Sequence, residues 1–330
     1  MHIGRLIAFL LGNKRNKTIV KQESSFLDLP LDLLFDVFDH LQLSERTLLS
    51  QTCRGLRYAF HHKCVLAFRV ASVAERLECL AMLGDVLPDH RLCAPCGRLH
   101  LLDPKDLPVM DYDKFYRPCP ALEHVMSRVM SRVYCMPYYA IAYRHVQLAM
   151  KYTRLECIHQ NHRANILQKF TITIPRWYST KLKFTAEPRI VRGRYILMTT
   201  NVFCAYEGPI SYSLLSQVCF RLCPHLCASE LVSVLQPDNQ LLVTMRLAFN
   251  RAKVEPEMYS CDQCPTDYVI AVEDDRVTFN TWQDLGTGIS EADSYWRSHV
   301  WDESENNRFR SAKFCYEHGS IRDMYYSNGI

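Results

Sequence analysis

Two Cys-x-x-Cys pairs are the residues of this sequence whose types and spacing best suit a metal ion. In the first pair, Cys93 and Cys96 are followed by His100 and then by Cys119. Thiolate sulfur and imidazole nitrogen in a tetrahedral arrangement are the ligands that structural zinc prefers. Prolines and a glycine nearby predict loops, which can fold around one ion. The sequence therefore predicts a zinc site here, and the alternative is a pair of reduced loop cysteines without metal.

The second pair, Cys261 and Cys264, precedes a predicted strand, as the first ligands of a zinc knuckle often do. Its partners must come from a distant part of the chain, and Cys223 with His225 are the best candidates. Core packing of reduced thiols is again the alternative. Four protein ligands leave no open position that activates water, so zinc at either site would support folding and not catalysis.

The cysteine content bears on the compartment in which the protein works. The chain has 15 cysteines, and an odd number in a secreted protein would leave one thiol unpaired. The apolar run at residues 6–11 carries its main positive charge after it, whereas a signal peptide carries that charge before it. We therefore expect reduced cysteines and a location in the cytoplasm or the nucleus. No apolar stretch of the sequence reaches the ~18 residues that a membrane-spanning helix needs, so we expect no association with a membrane.

Charge and motifs limit the classes of function. The net charge is only +4, and the 39 basic and 35 acidic residues are interspersed, which gives nucleic-acid binding no support. Basic and aromatic residues do mix between Arg176 and Tyr195, so a zinc-stabilised nucleic-acid-binding protein is one alternative function. A cysteine-dependent hydrolase is a second alternative. We predict no enzyme, because the sequence has no phosphate-binding glycine loop, HExxH helix or nucleophile elbow.

The elements that must position these residues change in character along the chain. Apolar residues at helical spacing predict helices over Leu66–Leu80, over Leu122–Val133 and within residues 137–165. After Leu167, alternating apolar and polar residues predict strands with one solvated face. The predicted strands lie at residues 170–175, 181–186, 189–203, 239–249, 267–273 and 276–282. The predicted fold class is therefore α+β, with helices followed by a mainly antiparallel β region.

The segment Phe26–Phe60 predicts two short helices. Pro30 suits the first turn of the first helix, where its missing amide proton costs nothing. Ser44 is the predicted N-cap of the second helix, which we expect to continue through Cys53 to Phe60. Both helices are apolar on more than one side. One side would pack against the other helix, and the remaining side would be free for a partner protein.

The same segment resembles the F-box pattern, in which Leu-Pro precedes a hydrophobic helix and a second helix surrounds a Thr-Cys-Arg step. The resemblance implies that ten residues contact a Skp-type adaptor or support those that do. They are Leu29, Pro30, Leu33, Leu34, Phe38, Leu41, Leu48, Leu49, Cys53 and Leu56. One charge among them, as in Leu34→Asp, should abolish adaptor binding. The alternative is a generic helical hairpin of the core.

Short segments such as "LCAPCGRLH" and "WQDLGTGISEADSYW" are similar to pieces of fungal F-box proteins that carry cysteine pairs. The resemblance implies a non-catalytic receptor that binds a Skp-type subunit, and through it a cullin, and recruits a protein target to a ubiquitin ligase. Four parts are expected. They are a short helical or disordered lead-in over residues 1–23, an F-box helical module at 24–65, a helical region with the first Cys/His loop at 66–165, and an α+β domain at 166–330.

Overall fold

The fold is described from a computed structural model, which defines residues 26, 28–93, 96–108, 132–136, 139–155, 160–229, 240–251, 255–289, 293–300 and 314–327. The predicted lead-in lies outside these residues, as do Leu122, Val125 and Val129 of one predicted helix. The chain divides into two compact units, Met1–Ala71 and Ser72–Ile330. Among the described residues, no helix combines the length and apolar character needed to cross a membrane.

The described part of the first unit is helical. Its helices are α1 (Leu31–His40), α2 (Leu43–Thr52) and α3 (Arg54–Val70). Phe38 of α1 stacks on Phe60 of α3 with ring centroids 4.0 Å apart, and Phe35 meets the same ring edge-on at 5.1 Å. Leu34, Leu56 and Cys64 complete this small core. Aromatic packing of this kind stabilises beyond the area that it buries.

The prediction of one helix from Ser44 to Phe60 is wrong, because Cys53 divides it. Cys53 has an extended backbone, and its sulfur accepts a hydrogen bond of 3.4 Å from the Leu56 amide at the start of α3. Gln42, not Ser44, occupies the N-cap position of α2, and the Gln42 amide donates to the Glu45 carboxylate at 2.8 Å. Such local side-chain bonds begin a helix at a residue that apolar spacing does not reveal.

The second unit begins with helix α4 (Val73–Val86) and the hairpin of β1 (His90–Cys93) and β2 (Arg98–Leu101). The single helix predicted over Leu66–Leu80 is wrong, because Ser72 separates α3 from α4. The Ser72 amide donates to the Glu75 carboxylate at 2.8 Å, and the Ser72 hydroxyl accepts from the Glu75 amide at 3.2 Å. This reciprocal capping box satisfies two donors at the start of α4 and so favours a new helix there. Residue 65, where the predicted F-box module ends, lies inside α3.

Residues 132–166 mix strands and helices. β3 (Arg132–Met136) pairs with β4 (Tyr139–Ala142), and α5 (Tyr143–Leu155) and α6 (Gln160–Ile166) follow. The prediction of helix within residues 137–165 is therefore wrong for residues 139–142, which form β4. The prediction of helix over Leu122–Val133 is wrong at Val133, which lies in β3. All four residues of β4 are buried. A short run without polar residues has no period, so its sequence cannot distinguish a strand from a helix.

Six described strands of the β region form one antiparallel sheet. Their order is β10 (Met258–Ser260), β11 (Thr266–Val272), β12 (Arg276–Asp284), β7 (Arg194–Ala205), β6 (Thr180–Val191) and β5 (Phe170–Trp177). Inward side chains such as Leu182, Phe203 and Phe279 join the main core. Arg192 and Gly193 both have positive φ, which suits the two-residue hairpin between β6 and β7.

The prediction of a strand at residues 239–249 is wrong, because this segment forms helix α8 (Gln240–Asn250) after α7 (Tyr212–Leu215) and the hairpin of β8 (Arg221–Cys223) and β9 (Leu226–Cys227). Leu241, Thr244 and Met245 are its buried residues. Their spacing of three and four is helical. The last two described helices are α9 (Ser294–Arg297) and α10 (Ser320–Tyr326). The predicted α+β class, with helices before antiparallel strands, is confirmed.

Candidate functional sites

The ten predicted contact residues lie in the first unit, and the exposure of their side chains divides them into three groups. Leu34, Phe38 and Leu56 are buried and belong to the core of the three helices. Their role is to support the module. A charge at Leu34 would therefore disrupt the core itself, so the substitution Leu34→Asp cannot report on a contact surface alone.

The second group is exposed. Leu29, Pro30 and Leu33 face solvent, and so do Leu31 and Val37, which the predicted contact set omitted. Leu31 is 56% exposed and Leu33 49%. We name Leu29, Pro30, Leu31, Leu33 and Val37 the α1 apolar surface. The signal that could have identified Val37 is its position one turn after Leu33 on the same side of the helix.

The third group is half-buried and lies within α2 or at the joints before and after it. It contains Leu41, Leu48, Leu49 and Cys53. Leu49 and Cys53 pack against the core of this unit, and the Cys53 sulfur caps α3. The Leu41 carbonyl accepts a hydrogen bond of 2.6 Å from Arg46 of α2. Leu41, Leu49 and Cys53 therefore help to hold the three helices together.

The F-box domain family matches residues 26–67, which include α1, α2 and most of α3. Residues 26–67 form an F-box domain. No curated protein and no solved structure shows significant similarity to the chain. An F-box domain suggests an adaptor role in ubiquitin ligase complexes, and F-box proteins are generally non-catalytic substrate receptors.

Beyond the F-box domain, the second unit brings the second predicted cysteine pair together with both of its distant partners. The ligand atoms of Cys223, His225, Cys261 and Cys264 all lie within 4.8 Å of one another. The Cys223 sulfur is 3.8 Å from the Cys261 sulfur, and His225 Nδ1 is 3.9 Å and 3.7 Å from these two sulfurs. The three cysteines are buried. We name these four residues the four-ligand cluster.

Two short loops position the four-ligand cluster. Cys223 ends β8 and His225 lies in the turn before β9. Cys261 and Cys264 lie in the turn between β10 and β11. The Gln263 amide donates to the Cys261 sulfur at 3.4 Å, and the Cys261 amide donates to the Thr266 carbonyl at 2.9 Å. The second turn is therefore narrow, with both of its thiols directed inward.

The three thiols of the four-ligand cluster differ in the direction of their pKa shifts. Burial raises the pKa of the Cys223 and Cys264 thiols. Hydrogen bonds from Cys223, Cys264 and His225 lower the pKa of Cys261. Three buried thiolates repel one another, so all three can ionise together only if a cation compensates their charge.

The first predicted cysteine pair forms a smaller cluster. Cys93 ends β1, Cys96 lies in the turn and His100 lies in β2, and their ligand atoms are within 4.8 Å of one another. The Cys96 sulfur is 3.0 Å from His100 Nε2. Burial and the charges of Arg91 and Arg98 lower the pKa of His100, which favours the neutral imidazole. The fourth predicted ligand, Cys119, lies outside the described residues.

The geometry also bears on the two alternative functions. The hydrolase hypothesis requires a Cys–His pair, but Cys96–His100 and the pairs of His225 all occur in clusters with a further thiol. Such clusters suit a metal ion better than a single nucleophile.

The hypothesis of nucleic-acid binding depends on the basic and aromatic residues at 176–195. Lys181 and Lys183 are exposed there, while Leu182 and Phe184 point into the core, as expected for an ordinary sheet with one solvated face.

Proposed function

We propose that the protein is a substrate receptor of a ubiquitin ligase, which binds a Skp-type adaptor through the α1 apolar surface of its F-box domain. The observation that carries the proposal is the exposure of five neighbouring apolar residues within the matched F-box segment. Leu33 and Val37 lie one turn apart on one side of α1, and exposed apolar side chains in such a group on a small domain indicate a site of protein association. Through the adaptor, the chain would join a cullin scaffold.

The energetics support this assignment. Complete burial of one large apolar side chain contributes about 1.5–3 kcal/mol. Several such side chains can together exceed the loss of translational and rotational freedom on association. The aromatic core of Phe38 and Phe60 holds the helix backbone in one conformation before binding. Little additional ordering is then required when the partner binds.

The second unit, Ser72–Ile330, would select the protein target. A receptor of this kind needs no catalytic residue, because it raises the effective concentration of a target lysine near a ubiquitin-conjugating enzyme on the same scaffold. The location that fits this role is a reducing compartment, the cytoplasm or the nucleus, because the Cys/His clusters of the second unit can hold a metal ion only with reduced thiols.

The test is binding of the full chain to a purified Skp-type adaptor. We expect a stable complex in size-exclusion chromatography and a saturable heat of binding in calorimetry. Adaptor-independent retention on heparin that falls steeply with salt would favour the nucleic-acid alternative instead. A folded chain that shows no adaptor binding at micromolar concentrations would refute the proposed function.

A further inference from the structure

We infer that Cys223, His225, Cys261 and Cys264 bind one zinc ion in a closed tetrahedral site. The two halves of the site come from loops far apart in the sequence, which the fold of the second unit brings together. The inference does not depend on adaptor binding, because all four residues lie outside the F-box domain.

The distances fit a metal centre. With zinc–sulfur bonds of about 2.3 Å and zinc–nitrogen bonds of about 2.0 Å, tetrahedral geometry places two sulfurs about 3.8 Å apart and a sulfur and a nitrogen about 3.5 Å apart. The corresponding distances here are 3.8 Å between Cys223 and Cys261 and 3.7 Å between Cys261 and His225. A disulfide needs sulfurs about 2.05 Å apart, so the Cys223 and Cys261 sulfurs are not in disulfide geometry.

The composition of the site determines the class of metal. Three soft thiolates and one imidazole prefer zinc to the hard cations magnesium and calcium, which take oxygen ligands. The site supplies four protein ligands, and the three sulfur ligands are buried. No position is then left for a reactive water, so the ion would be structural.

The end of strand β12 holds both ligand loops. The Gln283 side-chain amide donates to the carbonyl of Leu222, next to Cys223, at 2.9 Å. The backbone amide of the following residue, Asp284, donates to the carbonyl of Pro265, next to Cys264, at 3.0 Å. Two consecutive residues of one strand therefore fix the distance between the two halves of the site. Such outer hydrogen bonds orient metal ligands and are typical of built metal sites.

The turn that carries Cys261 and Cys264 is also held where it joins β11. The hydroxyl of Tyr316 donates to the Thr266 carbonyl at 2.8 Å and accepts from the Thr266 amide at 3.1 Å. Thr266 begins β11, directly after the turn of Cys261 and Cys264. A zinc ion at this point would connect the β8–β9 hairpin to one edge of the main sheet.

The decisive measurement is the zinc content of the purified full chain after dialysis against metal-free buffer. We expect at least one zinc ion per chain, and one ion fewer in Cys261→Ser and in Cys264→Ser. Cys227→Ala is the matched control, because Cys227 is equally buried and lies two residues beyond His225 but outside the cluster. It should retain the wild-type content. A wild-type chain without zinc, or equal zinc contents in wild type and Cys261→Ser, would overturn the inference.

A cobalt titration keeps the test valid if the serine variants do not fold. The metal-free chain with both Cys93→Ser and Cys96→Ser lacks the first Cys-x-x-Cys pair and so reports on the four-ligand cluster. We expect intense visible absorption of tetrahedral, thiolate-bound cobalt, which saturates at one equivalent and disappears when zinc is added. Only the weak absorption of octahedral cobalt, or no saturable signal, would contradict a tetrahedral site.

Discussion

Leu33 and Leu34 are adjacent in helix α1, yet Leu33 is 49% exposed and Leu34 only 8% exposed. Leu34 belongs to the core with Phe38 and Phe60, whereas Leu33 belongs to the α1 apolar surface. Successive residues of a helix point about 100° apart, which places them on different sides. The F-box domain thus uses neighbouring leucines for two purposes, and substitutions can separate stability from binding.

The substitution Val37→Asp should weaken adaptor binding at least tenfold without unfolding the domain. Val37 is 40% exposed, so a carboxylate there is solvated in the free chain. In the complex the carboxylate would lose its water without gaining a hydrogen-bonding partner. This desolvation costs more free energy than burial of the valine side chain contributes. Calorimetric titration with the adaptor measures the affinity, and circular dichroism checks the fold.

The matched control for that variant is Val70→Asp. Val70 is 86% exposed, ends α3 and lies beyond residues 26–67. The same change of residue there should leave adaptor affinity within twofold of wild type. If both variants bind equally well, or both bind equally poorly, the α1 apolar surface is not the contact site.

Leu34→Ala and Leu33→Ala should differ in their effects on folding. Truncation of a buried leucine lowers the free energy of unfolding by about 2–5 kcal/mol, because contacts are lost and a cavity remains. Truncation of the exposed Leu33 should change it by less than about 0.5 kcal/mol. Urea unfolding followed by circular dichroism measures both values. Equal destabilisation by the two variants would show that Leu33 is also part of the core.

Lys151→Met should destabilise the second unit by about 3 kcal/mol or more. The buried Lys151 ammonium donates hydrogen bonds to the carbonyl of Gly84 in the last turn of α4 and to those of Leu87 and His90 after it. Without the ammonium these acceptors lose their charged donor inside the protein. Arg154→Met on the same helix is the control, because its ion pair with Asp85 is exposed and worth about 0–1 kcal/mol. Thermal unfolding of both variants tests the difference, and equal midpoints would contradict it.

The stability of the second unit should fall in acid through Asp106. Burial raises the pKa of this carboxyl, but hydrogen bonds from His145 and Arg144 outweigh burial and hold it well below its usual value. The amide of Ala142 donates to His145 Nδ1, so His145 Nε2 carries the proton that bonds Asp106. Below an unfolded-state pKa of about 4, the unfolded chain binds more protons than the folded chain. The free energy of unfolding therefore decreases as the pH falls.

The measurement for Asp106 is urea unfolding at several pH values between 5 and 3. Wild type should lose stability over this range, and Asp106→Asn, which has no carboxyl to protonate, should lose less. The stability that Asp106 contributes is complete above its unfolded pKa and disappears as the pH falls toward its folded pKa. Parallel pH profiles for the two chains would show that other groups cause the acid sensitivity.

Local patterns predicted part of this structure and missed another part for identifiable reasons. The Leu-Pro step and the apolar spacing after it located the F-box domain, and the strands at residues 170–203 and 267–282 followed from alternation. Helix breaks at Cys53 and Ser72 depend on single side-chain hydrogen bonds, which apolar spacing does not reveal. α8 was predicted as a strand because Leu, Val and Thr occur in both kinds of element.

The candidate sites show the same division. Residue types and Cys-x-x-Cys spacing were sufficient to name Cys261 and Cys264 with Cys223 and His225 as partners, because thiolate and imidazole are the ligands that structural zinc prefers. Only the tertiary structure decided that these loops meet, through Gln283 and Asp284 of β12. Likewise, only the packing of α1 on α3 decided which leucines are exposed. Burial depends on contacts between residues distant in sequence, and no local pattern contains them.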